Sequence, residues 1–235
     1  MVLSLSAQRQ MYVWQDGVKT TYEVANVDSI TFSEVENPDP NTGNHEYVDL
    51  GLSVKWATCN VGATKPEEYG DYFAWGETEP KSTYDWSTYK YCNGSYRTLT
   101  KYNNSSSYGT VDNKTTLELS DDAARANWGG SWRMPTDVEL TELREQCTWT
   151  WTTPQNGVYG YKVTSKSNGK SIFLPATGYR LESSLNKAGS YGLYWSSSLY
   201  TVSPYYACVL YFYSDIVVRS YDHRLDGFSV RPVCQ

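Results

Sequence analysis

Acid–base, nucleophilic and metal chemistry at neutral pH draw on a small set of side chains, and this sequence supplies them sparingly. It has two histidines, His45 and His223. A zinc site or a Ser-His-Asp arrangement would have to use one of them. Neither has a ligand partner at a metal-binding spacing close by, so both are expected at the solvent surface. The five cysteines, Cys59, Cys92, Cys147, Cys208 and Cys234, show no C-x-x-C spacing. In an exported protein an odd count leaves at least one thiol unpaired, and the pairing of the others stays open. The carboxylates near residues 121–139 read as helix caps and solvated faces rather than as a catalytic pair. No catalytic residue, no metal site and no cofactor are therefore expected.

The chemistry this chain has in quantity is that of recognition. Among its 22 tyrosines, six fall between Leu199 and Asp226: Tyr200, Tyr205, Tyr206, Tyr211, Tyr213 and Tyr221. Ser, Asp and His accompany them, and Lys, Glu, Gln, Met and Trp are absent from the stretch. Tyrosine offers a large amphipathic contact area with two side-chain torsions to freeze, while small polar residues supply adaptable hydrogen bonds. The plainer reading is strand propensity, which tyrosine also has. Period-two arithmetic puts Leu210 and Phe212 on one face of a strand and Val209, Tyr211 and Tyr213 on the other, and Ile216 and Val218 flank Val217 in the same way. One face is expected to anchor in a core and the other to meet solvent or a partner.

The rest of the chain must position that stretch. A length of 235 residues suits one sizeable domain with a small appendage. A net charge of −6 argues against a nucleic-acid-binding surface, and no apolar run reaches the length of a membrane span. Residues 1–10 read as the remnant of a secretory signal or a disordered terminus. Residues 11–33 read as a small β-unit, with a hairpin at Asp16-Gly17 and a third strand at Ser29–Phe32. A Pro/Asn/Gly linker covers 34–45, and the main domain runs over 46–235. Residues 78–120 read as a long irregular insertion with few apolar anchors. Asp121 and Asp122 open a helix that stops at Gly129-Gly130. Thr136 and Glu139 form a capping box on a second helix, with Val138, Leu140, Leu143 and Cys147 as its buried stripe. Asn168-Gly169 marks a hairpin between 161–164 and 171–174. Helices in the middle and antiparallel strands at the end give an α+β class.

Two groups of motifs carry a resemblance. Val48-Asp49-Leu50-Gly51-Leu52, Trp56-Ala57-Thr58-Cys59-Asn60-Val61-Gly62-Ala63 and Tyr69-Gly70-Asp71-Tyr72-Phe73-Ala74-Trp75-Gly76-Glu77 resemble the bacterial major paralogous (FISUMP) domain, a C-type-lectin-like relative found in secreted proteins. The stretch 199–226 resembles the variable region of a diversity-generating retroelement target protein with a C-type-lectin-like fold. In that family, adenines of a template repeat are randomised, chiefly at AAC or AAT codons. A codon with a fixed third pyrimidine cannot become Lys, Glu, Gln, Met or Trp, which is the gap seen here.

The resemblance assigns Trp195-Ser196-Ser197-Ser198-Leu199, Thr201, Pro204, Ala207, Leu210, Phe212, Ser214, Val217, Arg224, Gly227 and Ser229-Val230-Arg231-Pro232-Val233 to a constant framework. It assigns Tyr200, Val202, Ser203, Tyr205, Tyr206, Val209, Tyr211, Tyr213, Ile216, Val218, Ser220, Tyr221, Asp222, His223, Leu225 and Asp226 to randomised, ligand-binding positions. Cys208, Asp215 and Arg219 fit either class. The same architecture hosts formylglycine-generating enzymes, whose activity needs a close cysteine pair near the C-terminus; Cys208 and Cys234 are far apart in sequence. The Glu-Pro-Asn, Gln-Pro-Asp and Trp-Asn-Asp motifs of calcium-dependent sugar binding do not occur.

The resemblance thus implies a non-enzymatic protein, secreted or at a surface of a cell or phage particle. Its partner would be a macromolecule, protein or surface glycan, held by a tyrosine-rich face. The alternatives are an adhesin or glycan-binding module of constant specificity, and an enzyme whose cleft carries perturbed ionisable groups.

Overall fold

The computed structural model describes residues 10–15, 18–23, 43–155 and 157–235. The chain divides into two compact units, Met1–Asn37 and Pro38–Gln235. In the first, β1 (Gln10–Gln15) and β2 (Val18–Glu23) pair antiparallel from Gln10↔Glu23 to Gln15↔Val18, which leaves two residues to connect them. The expected strand at Ser29–Phe32, the N-terminal segment before Gln10 and most of the linker lie outside the described residues.

The second unit is α+β, with antiparallel sheets and two helices. β3 (Tyr47–Val48) and β4 (Lys55–Ala57) open it, and β4 pairs on its other edge with the last strand of the chain. α1 (Ala123–Trp128) begins where the Asp122 carboxylate accepts from the Arg125 backbone N–H, and it ends at Gly129, whose N–H donates to Arg125 O. α2 (Asp137–Gln146) carries the expected capping box. Thr136 Oγ1 accepts from Glu139 N at 3.2 Å, and the Glu139 carboxylate accepts from Thr136 N at 2.7 Å. The pair satisfies two of the N–H groups that a helix start leaves open. Leu140 and Leu143 are the helix's buried residues, whereas Val138 is 76 % exposed. Val138 lies in the first turn beside the cap, outside the stripe that meets the core, which corrects the expectation for it.

β5 (Cys147–Gln155), β6 (Val158–Ser165) and β7 (Ser171–Pro175) form an antiparallel sheet, and the connection at Asn168-Gly169 closes β6 onto β7 as the sequence predicts. A short hairpin follows, β8 (Tyr179–Leu181) with β9 (Ser184–Asn186). β10 (Gly192–Leu199), β11 (Tyr206–Tyr213) and β12 (Ile216–His223) then form a sheet in that order, and β13 (Val233–Cys234) returns to β4.

The β10–β11 pair is buried on both faces. Leu193, Trp195, Leu199, Ala207 and Val209 pack into one cluster with Trp75, Tyr102 and Phe228. Tyr194, Leu210 and Phe212 pack into another with Leu140, Leu143, Val163 and Leu174. A central strand between two cores is apolar on both sides. Val209 therefore lies in the interior with 1 % exposure, although period-two alternation places it on the outward face.

The segment 78–120 is irregular, with single 3₁₀ turns at Ser106–Tyr108 and Leu119–Asp121. Contrary to expectation it is well anchored. Tyr84, Tyr89, Tyr91, Leu99 and Tyr102 are all buried. Tyr84 Oη donates to Tyr72 O at 2.6 Å and Tyr89 Oη to Trp75 O at 2.8 Å, so these two rings enter the core without leaving their hydroxyls unpaired. No helix among the described residues is long and apolar enough to cross a membrane.

Candidate ligand-binding face

The register of β11 on β12 sorts the predicted positions into two groups. Val209↔Ser220, Tyr211↔Val218, Tyr213↔Ile216 and Ala207↔Asp222 are opposed, so Val209, Tyr211, Tyr213, Ile216, Val218, Ser220 and Asp222 share one face. Tyr206↔His223 and Cys208↔Tyr221 fall on the other.

The first face opens beyond Val209 into a concavity of about 560 Å³. Val209, Tyr211, Ser220, Asp222, His223, Leu225 and Asp226 line it, together with Trp86, Tyr179, Leu181, Tyr191 and Leu193 from outside residues 199–226. Leu225 and Asp226 are buried at 6 % and 7 % exposure, so they form floor rather than rim. Tyr191, Tyr211 and Tyr213 meet at 5.6 to 5.9 Å between ring centres. Burial, followed by the neighbouring Tyr191 hydroxyl, pushes the Tyr211 phenol up to about 12. Ile216 and Val218 continue this face along β12, the former exposed and the latter half-buried.

The second group is a continuous field of rings. Tyr200 stacks on Tyr221 at 4.0 Å, Tyr206 lies 5.2 Å from Tyr221, 4.4 Å from Tyr205 and 4.5 Å from His223. The segment 78–120 extends it, because Tyr96 and Tyr108 approach Tyr205 at 5.2 and 5.1 Å. Tyr221 is 47 % exposed. Val202, 76 % exposed, and half-buried Ser203 sit on the turn between β10 and β11 and join neither group.

Two framework features hold these groups in place. Trp195 stacks on Phe228 at 4.3 Å and donates its indole N–H to Phe73 O at 2.7 Å, while Ser196 Oγ donates to Cys208 O across the irregular part of the β10–β11 pairing. Arg224 is fully buried. Its guanidinium donates to Tyr89 Oη, Tyr102 O, Pro204 O and Lys101 O at 2.8 to 3.0 Å, and lies 4.9 Å from the Trp75 ring centre. One side chain thus ties the turn before Tyr205 to the segment that carries Tyr96 and Tyr108.

The ionisable groups differ from expectation. His45 is half-buried and stacks on Trp128 with ring centres 3.7 Å apart and planes 5° from parallel, and burial lowers its pKa. His223 is half-buried rather than fully solvated, and it has local partners after all: Asp222, His223 and Asp226 each place one potential ligand atom within 4.8 Å of the others. Burial lowers the His223 pKa, an effect that the Asp222 carboxylate opposes. Burial raises both carboxyl pKa values and, with Asp222 alongside, pushes Asp226 up to about 8. No disulfide joins any of the five cysteines. Cys208 is buried beside Arg219, and its thiol is pushed up to about 11 by burial.

Sequence reasoning missed the contributors from outside residues 199–226: Trp86, Tyr96, Tyr108, Tyr179, Leu181 and Tyr191. They come from three separate segments, and no local pattern joins them. Residues 149–233 match the family model of a domain of unknown function, DUF8237, which spans β10 to β12 but not Trp86, Tyr96 or Tyr108. No curated protein and no solved structure matches the chain.

Proposed function

We propose that this chain is a non-enzymatic binding protein that displays a changeable, tyrosine-rich surface to a macromolecular partner, protein or surface glycan, on a C-type-lectin-like scaffold. The observation that carries the reading is the division of roles within 199–226. The framework positions Ala207, Leu210, Phe212 and Arg224 are buried. The positions assigned to randomised codons instead supply much of the concavity and of the ring field. Rigid aromatic anchors such as Tyr206 and Tyr221 would supply most of the binding energy, and their neighbours would supply shape. Export to the medium, a cell surface or a phage particle goes with this function.

The coding DNA tests it. Under diversification the codons of Val202, Ser203, Val209, Ile216, Val218 and Leu225 all end in C or T, and a near-copy of the segment, differing at adenines, lies beside a reverse transcriptase gene. A GTG codon at Val202 or TTA at Leu225 would refute diversification and leave an adhesin or glycan-binding module of constant specificity. A catalytic reading has one observation in its favour, the raised carboxyls of Asp222 and Asp226 in a cleft. Their ligand oxygens lie within 4.8 Å of each other on one turn, however, whereas the paired carboxyls of glycoside hydrolysis stand about 5 to 9.5 Å apart on either side of the scissile bond.

A further inference from the structure

Asp222 and His223 end β12, and the chain then turns so that Asp226 N–H donates to His223 O at 3.0 Å. The turn brings Asp226 back over its two predecessors. One ligand atom from each of the three residues lies within 4.8 Å of the others, and all three residues line the concavity. Zinc-type bonds of about 2.1 Å set tetrahedral ligands about 3.4 Å apart. Binding one ion would draw donors that stand 4.8 Å apart or less towards that spacing.

A second observation points to a missing partner. Asp226 is 7 % exposed, and its Oδ1 is buried with no hydrogen bond from any donor among the described residues. A buried carboxylate oxygen without a donor costs several kcal/mol unless a cation or proton meets it. No Lys or Arg lines the concavity among the described residues, and the acidic neighbour Asp222 adds to the charge.

We propose that Asp222, His223 and Asp226 bind a divalent transition-metal ion of the zinc class, with its open coordination positions facing the concavity. An imidazole with two carboxylates is a mixed N/O set, which favours zinc-like ions over calcium or magnesium, whose sites are built from oxygen. Three protein ligands leave at least one position for water or for a donor atom of whatever enters the cleft. The site needs no codon variation and stands or falls apart from the diversification reading.

The test is calorimetric titration of the full chain with zinc chloride after removal of bound metal with a chelator. One equivalent is expected to bind and to raise Tm in proportion to the logarithm of free zinc. The chain has two histidines, so the assignment is clean: His45→Ala should bind as the parent does, while His223→Ala and Asp226→Asn should each weaken binding at least tenfold. Near-UV circular dichroism of the metal-free variants confirms that they are folded. Cobalt added in place of zinc gives a second readout, visible ligand-field bands without the intense near-UV band of a thiolate ligand. No stoichiometric binding, binding that survives both variants, or a thiolate band would overturn the proposal.

Discussion

Replacing Arg224 with Met removes a guanidinium from the interior while keeping an unbranched apolar stem. Four acceptors lose their donor: Tyr89 Oη and the carbonyls of Lys101, Tyr102 and Pro204. Each buried acceptor left open costs about 1 kcal/mol or more. Relief of the charge's own desolvation offsets part of this, and loss of its contact with the Trp75 ring adds to it. A net loss of about 4 kcal/mol is expected. Arg219, five residues earlier, is the control. Its side chain is 49 % exposed, and its ion pair with Asp137 at 2.6 Å is of the surface kind, worth about 1 kcal/mol or less. Urea unfolding of Arg224→Met and Arg219→Met, compared at equal m-value, measures the contrast. The Arg224 variant should also become susceptible to proteolysis between residues 96 and 108 and near 204, since the guanidinium joins those segments. If the two variants fell within about 1 kcal/mol of each other, the reasoning that Arg224 is the clamp beneath the tyrosine field would be wrong.

Two other perturbations test the scaffold. Asp121 is buried, which raises its carboxyl pKa, yet hydrogen bonds from Lys101 and Tyr102 prevail and hold it at about 2. A folded-state pKa below the unfolded one gives stability that is present above about pH 4 and lost as pH falls towards 2. Asp121→Asn should therefore cost about 2 kcal/mol near neutrality, and the gap from the parent should close in urea unfolding series carried down to pH 2. A Cβ at Gly192 would stand 2.0 Å from Cζ of Phe212. Gly192→Ala should lower stability by about 2 kcal/mol, and trimming the ring with Phe212→Leu in the same chain should recover part of it relative to the sum of the single changes.

Local signals in the sequence translated well. Thr136 with Glu139, Asp122 before Ala123, and Asn168-Gly169 each determine a cap or a turn through bonds within a few residues, so their effect is readable from spacing alone. The α+β class follows from the same elements. Val138 failed because apolar spacing cannot tell which edge of a stripe the core reaches. The 78–120 segment failed because its anchors are tyrosines, whose burial depends on carbonyls of Tyr72 and Trp75 far from them in the chain. Val209 failed because strand alternation assumes one dry face, and this sheet has a core on both sides. In the site, the stretch 199–226 was visible through its composition. The walls from Trp86, Tyr179 and Tyr191, and the convergence of Asp222, His223 and Asp226, arise from tertiary closure that no spacing rule records.

The joining of β3 and β13 to the two edges of β4 has a mechanical consequence. Strands two places apart in a sheet are about 10 Å distant, so polypeptide entering before Tyr47 and leaving after Cys234 passes through one small doorway. A host protein could receive residues 47–234 within an exposed loop with little disturbance, and a circular permutant joined across that doorway would need a bridge of only a few residues. Tension applied at the two ends would be borne by the short ladder on β4 before it reached the tyrosine field.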